Sequence, residues 1–183
     1  MNGTFVAVVG SSGAGKDSVM AYARDRLQRD VTIVRRVVTR PADGGSEDHD
    51  SMTMDQFVAA ETEGRFALSW EAHGLRYGLP IGLEEDLHAG RVVIANLSRA
   101  VLPRLMLRYP NAVVVEVTAD PQVIAERLAG RGREDAEDIQ RRMDRSVGVR
   151  MPASTVRIDN SGALEQAGEQ FVSLIRDLLR VGV

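Results

Sequence analysis

A run of apolar residues, Phe5-Val-Ala-Val-Val9, opens directly into Gly10-Ser-Ser-Gly13-Ala-Gly15-Lys16-Asp17-Ser18, and this junction constrains the fold more than any other part of the chain. An unbroken apolar run suits a strand buried on both faces, as in a parallel sheet. Glycines at 10, 13 and 15 let the backbone curl so that its N–H groups converge on one anion. A helix predicted from Asp17 to Gln28 presents its positive end to the same point. The spacing G-x-x-x-x-G-K in a strand–turn–helix context is the Walker A pattern. It makes Gly10, Ser11, Ser12, Gly13, Ala14, Gly15, Lys16, Asp17 and Ser18 the expected ATP-binding segment, with Lys16 reaching the β- and γ-phosphates as a point charge.

One position departs from that pattern. The residue after the lysine is ordinarily Ser or Thr, whose hydroxyl ligates Mg²⁺, and here it is Asp17. A carboxylate beside phosphates is repelled unless a cation lies between them. Asp17 is therefore expected to hold Mg²⁺, directly or through water, with Ser18 secondary. A cap at the helix start is the competing role.

The rest of the chain alternates strand and helix signals. Strands are expected at Thr32 to Val38, Phe66 to Trp70, Val92 to Ala95, Val113 to Val117 and Thr155 to Asp159. Helices are expected at Met54 to Glu63, Ile81 to Ala89, Arg99 to Tyr109, Pro121 to Ala129, Asp135 to Val147 and Ala163 to Arg180. Pro41 to Ser51 reads as a polar loop, and His73 to Pro80, with Gly74, Gly78 and Pro80, as a turn. The pattern predicts an α/β fold with a mainly parallel sheet, in one domain of 183 residues.

Composition narrows the partners. The net charge of −3 gives no support to a nucleic-acid or membrane partner. The absence of cysteine excludes a disulfide framework and a thiolate zinc site. The apolar run near the start is too short for a signal peptide or a membrane span and lacks a basic leader, so the expected location is the cytoplasm. Oligomeric state is left open, a homodimer included.

Several later segments resemble the guanylate kinase family, and more closely its relatives the ribose 1,5-bisphosphate phosphokinases. Beyond the Walker A segment these are Val38-Thr-Arg40 with Gly45-Ser-Glu-Asp-His49, Ala67-Leu-Ser-Trp70 with His73-Gly-Leu-Arg-Tyr-Gly78, Asn96-Leu-Ser-Arg99, and Arg127-Leu-Ala-Gly-Arg-Gly-Arg-Glu134. The resemblance spans nearly the whole chain, and the order and spacing of the segments carry it. It implies a P-loop fold of three α/β/α layers, an acceptor-binding region over about residues 36–90, and an arginine-rich lid over about residues 127–148.

Departures from guanylate kinases are informative. The second arginine and the tyrosine that help hold the nucleotide phosphate have no counterpart between Pro41 and Met52. Ser69 or Leu68 stands where that family reads guanine with a glutamate, although Glu71 follows Trp70, and the acidic strand end has become Val93-Ile-Ala-Asn96. The resemblance thus implies a phosphorylated sugar without a base: ribose 1,5-bisphosphate, phosphorylated by ATP and Mg²⁺ on its 1-phosphate to 5-phosphoribosyl 1-diphosphate (PRPP), a step of phosphonate breakdown. A guanylate or other nucleoside monophosphate kinase is the main alternative. A small-molecule hydroxyl kinase would need a base near the acceptor, which only the Asp43/Asp48/Asp50 loop offers, and a non-catalytic binding module would not need an intact Lys16 cradle.

A phosphate acceptor is already ionised near neutral pH, so catalysis requires alignment and charge neutralisation rather than a base. Arg40 matches the family's acceptor arginine; a salt bridge with Glu47 or Asp48 is its other reading. Arg76 and Tyr77 lie where the family contacts its acceptor. Asn96 and Arg99, with Ser98, follow a buried strand at the carboxyl edge where α/β sheets bind ligands, Asn96 either bonding sugar hydroxyls or capping a helix. Arg131 and Arg142 fall on the lid's phosphate-contacting positions and are expected to be catalytic with Lys16. Arg127, Arg133, Arg141 and Arg145 surround them, and a solvated helix accounts for the last two. His49, His73 and His88 have no metal-motif spacing, and Trp70 is expected in the core.

Overall fold

The computed structural model describes residues 3–27, 30–40, 49–72, 74–130 and 151–181. Its elements are β1 (Thr4–Val9), α1 (Lys16–Leu27), β2 (Val31–Ile33), β3 (Arg36–Val38), β4 (His49–Ser51), α2 (Met54–Thr62), β5 (Phe66–Ala72), β6 (Leu75–Pro80), α3 (Leu83–His88), β7 (Val92–Asn96), α4 (Leu102–Arg108), β8 (Val113–Thr118), α5 (Pro121–Ala129), β9 (Val156–Asp159) and α6 (Leu164–Val181). A single 3₁₀ turn, Arg99–Val101, leads into α4.

Five strands form a sheet in the order β2-β7-β1-β8-β9. Every pairing in it is parallel. The apolar runs of β1, β7 and β8 are buried on both faces, as continuous runs demand. Alternate residues of β1 enter two cores. Val6 and Val8 pack with Val19, Met20 and Ala23 of α1 and Phe171, Val172 and Ile175 of α6. Phe5, Ala7 and Val9 pack on the other face with Leu83 and Leu87 of α3 and Leu102 and Leu105 of α4. That second core also takes in Ala67, Leu68 and Leu79 from a smaller sheet, ordered β4-β3-β6-β5, which leans on the carboxyl half of the parallel sheet through them.

Two expectations are corrected. Thr32 to Val38 is not one strand: β2 pairs with β7 in the parallel sheet, and β3 pairs with β4 and β6 in the small one. A β-branched run carries the same signal in either sheet, so the crossing at Val34 and Arg35 left no mark. His73 to Pro80 is not a turn either. Only the bend at Gly74 (φ 71°) is one, and Leu75–Pro80 is the second strand of a hairpin with β5. Gly78 stands mid-strand because the Phe66 ring occupies the place of its side chain: a Cβ there would lie 2.6 Å from Phe66 Cδ1. Pro80 pairs only with Phe66, beyond the stretch that β3 contacts, where a missing N–H costs no ladder bond. The expected loop Pro41 to Ser51 ends in a strand, β4; residues 41–48 and the expected helix Asp135 to Val147 lie outside the described residues.

Candidate active site

The turn after β1 sits at the carboxyl edge of the parallel sheet, beside the ends of β7 and β8. Gly10 (φ 149°) passes so close to β8 that a Cβ would collide with the Val117 carbonyl oxygen. Gly15 (φ 88°) passes equally close to the Asn160 side-chain amide. The cradle is braced from behind: the Ala14 carbonyl accepts from Asn160 Nδ2 at 2.8 Å, and Arg127 Nη2 donates to the Asn160 carbonyl at 2.9 Å. Ala14 N donates to Ser11 O at 3.3 Å, and Val19 N to Gly15 O at 3.0 Å, which starts α1. Lys16 curls over the loop, its Nζ donating to the carbonyls of Gly10 and Ser11 at 3.1 Å each. Ser18 is exposed, while Ser11, Ser12, Lys16 and Asp17 are half-buried.

Asp17 accepts a hydrogen bond on Oδ1 from Asn96 Nδ2 at 2.8 Å. Asn96, at the end of β7, is buried, so this contact joins the first turn of α1 to the strand edge. Among the described residues, no group of three or more His, Cys, Asp or Glu residues could hold a metal ion. Asp17 is the carboxylate at the cradle, and the set it offers suits Mg²⁺, which takes one or two carboxylates and completes its shell with water and phosphate oxygens. The glycine curl fits a triphosphate tail.

The small sheet places the other candidate residues, Arg40, Arg76 and Tyr77. Arg40 follows β3 and is half-buried. Beside it, Thr39 N donates to Arg76 O at 3.0 Å and Arg76 N to Thr39 Oγ1 at 2.9 Å, so β3 and β6 hold both arginines in register. The Arg76 side chain pairs with Glu61 at 2.9 Å, and Ser69 donates to the same carboxylate. Tyr77 stacks on Trp70 (centroids 5.4 Å apart, planes at 9°), and the Arg36 guanidinium lies 5.4 Å from the Tyr77 ring centre. Arg36 Nη1 also donates to the Asn96 carbonyl at 3.2 Å, tying the small sheet to the parallel one beside the cradle. Trp70 is half-buried against the core as well as stacked on Tyr77.

Arg99 is held by an acid: its Nη2 lies 3.0 Å from Glu116 Oε1, and Arg157 takes the other oxygen at 3.1 Å. Arg131 and Arg142, with Arg133, Arg141, Arg145 and His73, lie outside the described residues. His49 is buried in β4, and His88 Nδ1 sits 2.6 Å from the Glu84 carbonyl in α3. Two groups that titrate away from their ordinary values, Tyr109 and Glu84, lie away from the cradle. Burial, then a hydrogen bond to Glu84, pushes Tyr109 up to about 12. Burial pushes Glu84 up, but hydrogen bonds from Tyr109 and Arg108 outweigh it and hold the carboxyl below its usual value.

Four residues escaped the reading from sequence as parts of this site. Arg36 was hidden inside a presumed strand, and Asn160 in a presumed turn. Arg127 was placed with the lid rather than against the cradle. Glu116 did leave a signal, a lone acid in the apolar run Val113-Val-Val-Glu-Val117, which marks a buried ion pair.

No family model matches the chain. Among solved structures it is similar to a guanylate kinase from Anaplasma phagocytophilum (TM-score 0.72, 16% identity, 96% of this chain and 85% of that one). A gluconokinase from Sinorhizobium meliloti 1021 is also similar (TM-score 0.55, 17% identity, 98% of this chain and 95% of that one). These likenesses establish the P-loop kinase type of α/β fold. Curated relatives are far closer in sequence. The ribose 1,5-bisphosphate phosphokinase PhnN of Chelativorans sp. (strain BNC1) is 49% identical over 179 residues, 95% of this chain and 85% of the relative. The proteins of that name from Brucella melitensis biotype 2 and Agrobacterium fabrum are 47% and 44% identical, over 96% and 93% of this chain and 93% and 95% of their own lengths. At such identity over nearly its full length, the chain belongs to the ribose 1,5-bisphosphate phosphokinase PhnN family of kinases.

Proposed function

We propose that the protein transfers the γ-phosphoryl group of ATP to the 1-phosphate of ribose 1,5-bisphosphate, giving PRPP and ADP. An oxygen of the acceptor phosphate forms the new P–O bond, the bond from the γ-phosphorus to the β–γ bridging oxygen breaks, and ADP leaves with the electron pair. The acceptor is an anion already, so no residue removes a proton. The work of the chain is to hold two anions in line.

The main chain of Gly10 to Ser18 and Lys16 hold the ATP phosphates. Asp17 holds Mg²⁺, which when bound neutralises charge on the β- and γ-phosphates. Arg40, Arg76 and Tyr77 grip the sugar phosphate. Arg131 and Arg142 close over the reacting groups and exclude water. Arg99 serves the acceptor side from its seat on Glu116. The same proposal places the enzyme in the cytoplasm, acting in phosphonate breakdown. Among the described residues, no helix is long and apolar enough to cross a membrane.

The observation that supports this reading is the combination of an intact cradle with Arg36, Arg40, Arg76 and Tyr77 on and beside the small sheet, in a chain whose relatives bear this name. The test is ADP release, coupled to a dehydrogenase, with ribose 1,5-bisphosphate and GMP supplied in parallel. Turnover with the sugar bisphosphate and none with GMP is expected. Turnover with GMP alone would replace the proposal with a nucleoside monophosphate kinase.

A further inference from the structure

P-loop NTPases ordinarily place a hydroxyl after the loop lysine and a carboxylate at the end of a neighbouring strand, both around the metal. Here the carboxylate, Asp17, stands on the loop side, and the end of the adjacent strand β7 is neutral, the amide Asn96. The two touch across 79 residues of sequence, at 2.8 Å.

We propose that Asn96 is the positioning residue for Asp17: its amide holds Oδ1 and thereby leaves Oδ2 to carry the metal or a metal-bound water. The site keeps one negative charge, but that charge sits on the element that also carries the cradle. This rests on the reading of Asp17 as the metal-holding residue. It also replaces the expectation that Asn96 bonds the sugar.

Three features make Asn96 suited to the task. Its side chain is buried, so its amide is not competing with bulk water for Asp17. An amide can donate to a carboxylate without adding charge, whereas a second acid there would repel the first until a cation arrived. Its backbone is held from two sides, by β1 and by Arg36. Asn96 pairs with Val8 of β1, Leu97 N donates to Val8 O at 2.9 Å, and Arg36 Nη1 donates to the Asn96 carbonyl. Partners that orient a metal-holding group in this way typically change metal affinity by about 10- to 100-fold when removed.

The test uses Mn²⁺ as the probe metal and ADP as the nucleotide, with free Mn²⁺ counted by electron paramagnetic resonance. Asn96→Ala is expected to weaken Mn²⁺ binding to the ADP complex about 10-fold or more. ADP binding in the presence of a chelator should stay at the wild-type value. Asp17→Ala should weaken Mn²⁺ at least as much, and the double variant should bind like Asp17→Ala alone, since the amide acts only through the carboxylate. Should Asn96→Ala not fold, Asn96→Ser carries the same expectation, because its hydroxyl ends about one bond short of the amide nitrogen. Wild-type Mn²⁺ affinity in the folded Asn96 variant, with loss in Asp17→Ala, overturns the role of Asn96 and leaves the Asp17 reading standing. Wild-type affinity in both overturns the Asp17 reading as well. Additive losses in the double variant mean that Asn96 meets the metal or nucleotide by itself and is not a positioning residue.

Discussion

At the cradle, the proposed ligand contacts come from one short stretch, whose glycine-curled main chain is joined by the side chains of Lys16 and Asp17. At the small sheet the backbone is ordinary ladder, and the proposed acceptor contacts are side chains brought together from separate segments of the chain, Arg40 after β3 and Arg76 and Tyr77 in β6. The cradle's shape is fixed by where glycines allow the chain to go. The acceptor half's shape is fixed by stacking and ion pairs, Trp70 on Tyr77 under Arg36, and Arg76 on Glu61. A backbone site should therefore fail steeply when one residue is changed, and a side-chain site by degrees.

The steepest failure is expected at Gly15→Ala. The new Cβ meets the Asn160 amide, which cannot swing away without releasing the Ala14 carbonyl, and the φ of 88° is strained for alanine. Strain of about 1–3 kcal/mol at this point corresponds to ATP binding weakened by roughly 5- to 150-fold. Isothermal titration with a non-hydrolysable ATP analogue measures it. Unchanged affinity would mean that the loop does not shape the nucleotide site.

On the other side, Arg40→Ala is expected to raise the acceptor KM by about 10-fold, the worth of one charge-assisted hydrogen bond, and to leave the ATP KM alone. Initial-rate kinetics with each substrate varied in turn separates the two. An equal rise in both constants would erase the distinction between the half-sites. Glu61→Gln should be milder. The Arg76 pair is 35–40% exposed and so is worth only a few tenths of a kcal/mol. Its loss frees the Arg76 guanidinium to reorient, and the acceptor KM should move by about twofold, again with no change for ATP.

The same contrast decided what could be read in advance. The cradle is contiguous, so its spacing named every residue from Gly10 to Ser18. The apolar runs of β7 and β8 were equally plain, since burial on both faces leaves no polar interruption except Glu116 and Asn96, the two that matter to the site. The hairpin partner β6 was missed because Gly78 and Pro80 look like breakers until the Phe66 ring and the edge pairing are known. Arg40, Arg76 and Tyr77 were found through resemblance to relatives, whereas Arg36 needed the fold, because its two contacts, Tyr77 and Asn96, come from distant strands. Asp17 was marked by its departure from the pattern. Its partner Asn96 could not be guessed, because nothing local distinguishes an amide that holds a carboxylate from one that caps a helix.

A change at the opposite edge of the parallel sheet serves as the control for all of these. Tyr109 stacks on Phe5 near the start of β1, and its hydroxyl donates to Glu84 at 2.8 Å. In the folded chain it keeps its proton to about 12, against an ordinary tyrosine value of about 10, so between those values the unfolded chain loses its proton first. The stabilisation is complete below the lower value and falls away as pH rises through the upper one. Tyr109→Phe should cost about 1 kcal/mol near neutral pH. It should also flatten the alkaline decline in the urea midpoint, while both KM values stay at wild type. If this remote variant raised the acceptor KM as much as Arg40→Ala does, the graded losses at the small sheet would report global loosening of the chain, and the contrast between a backbone-built and a side-chain-built half-site would have to be given up.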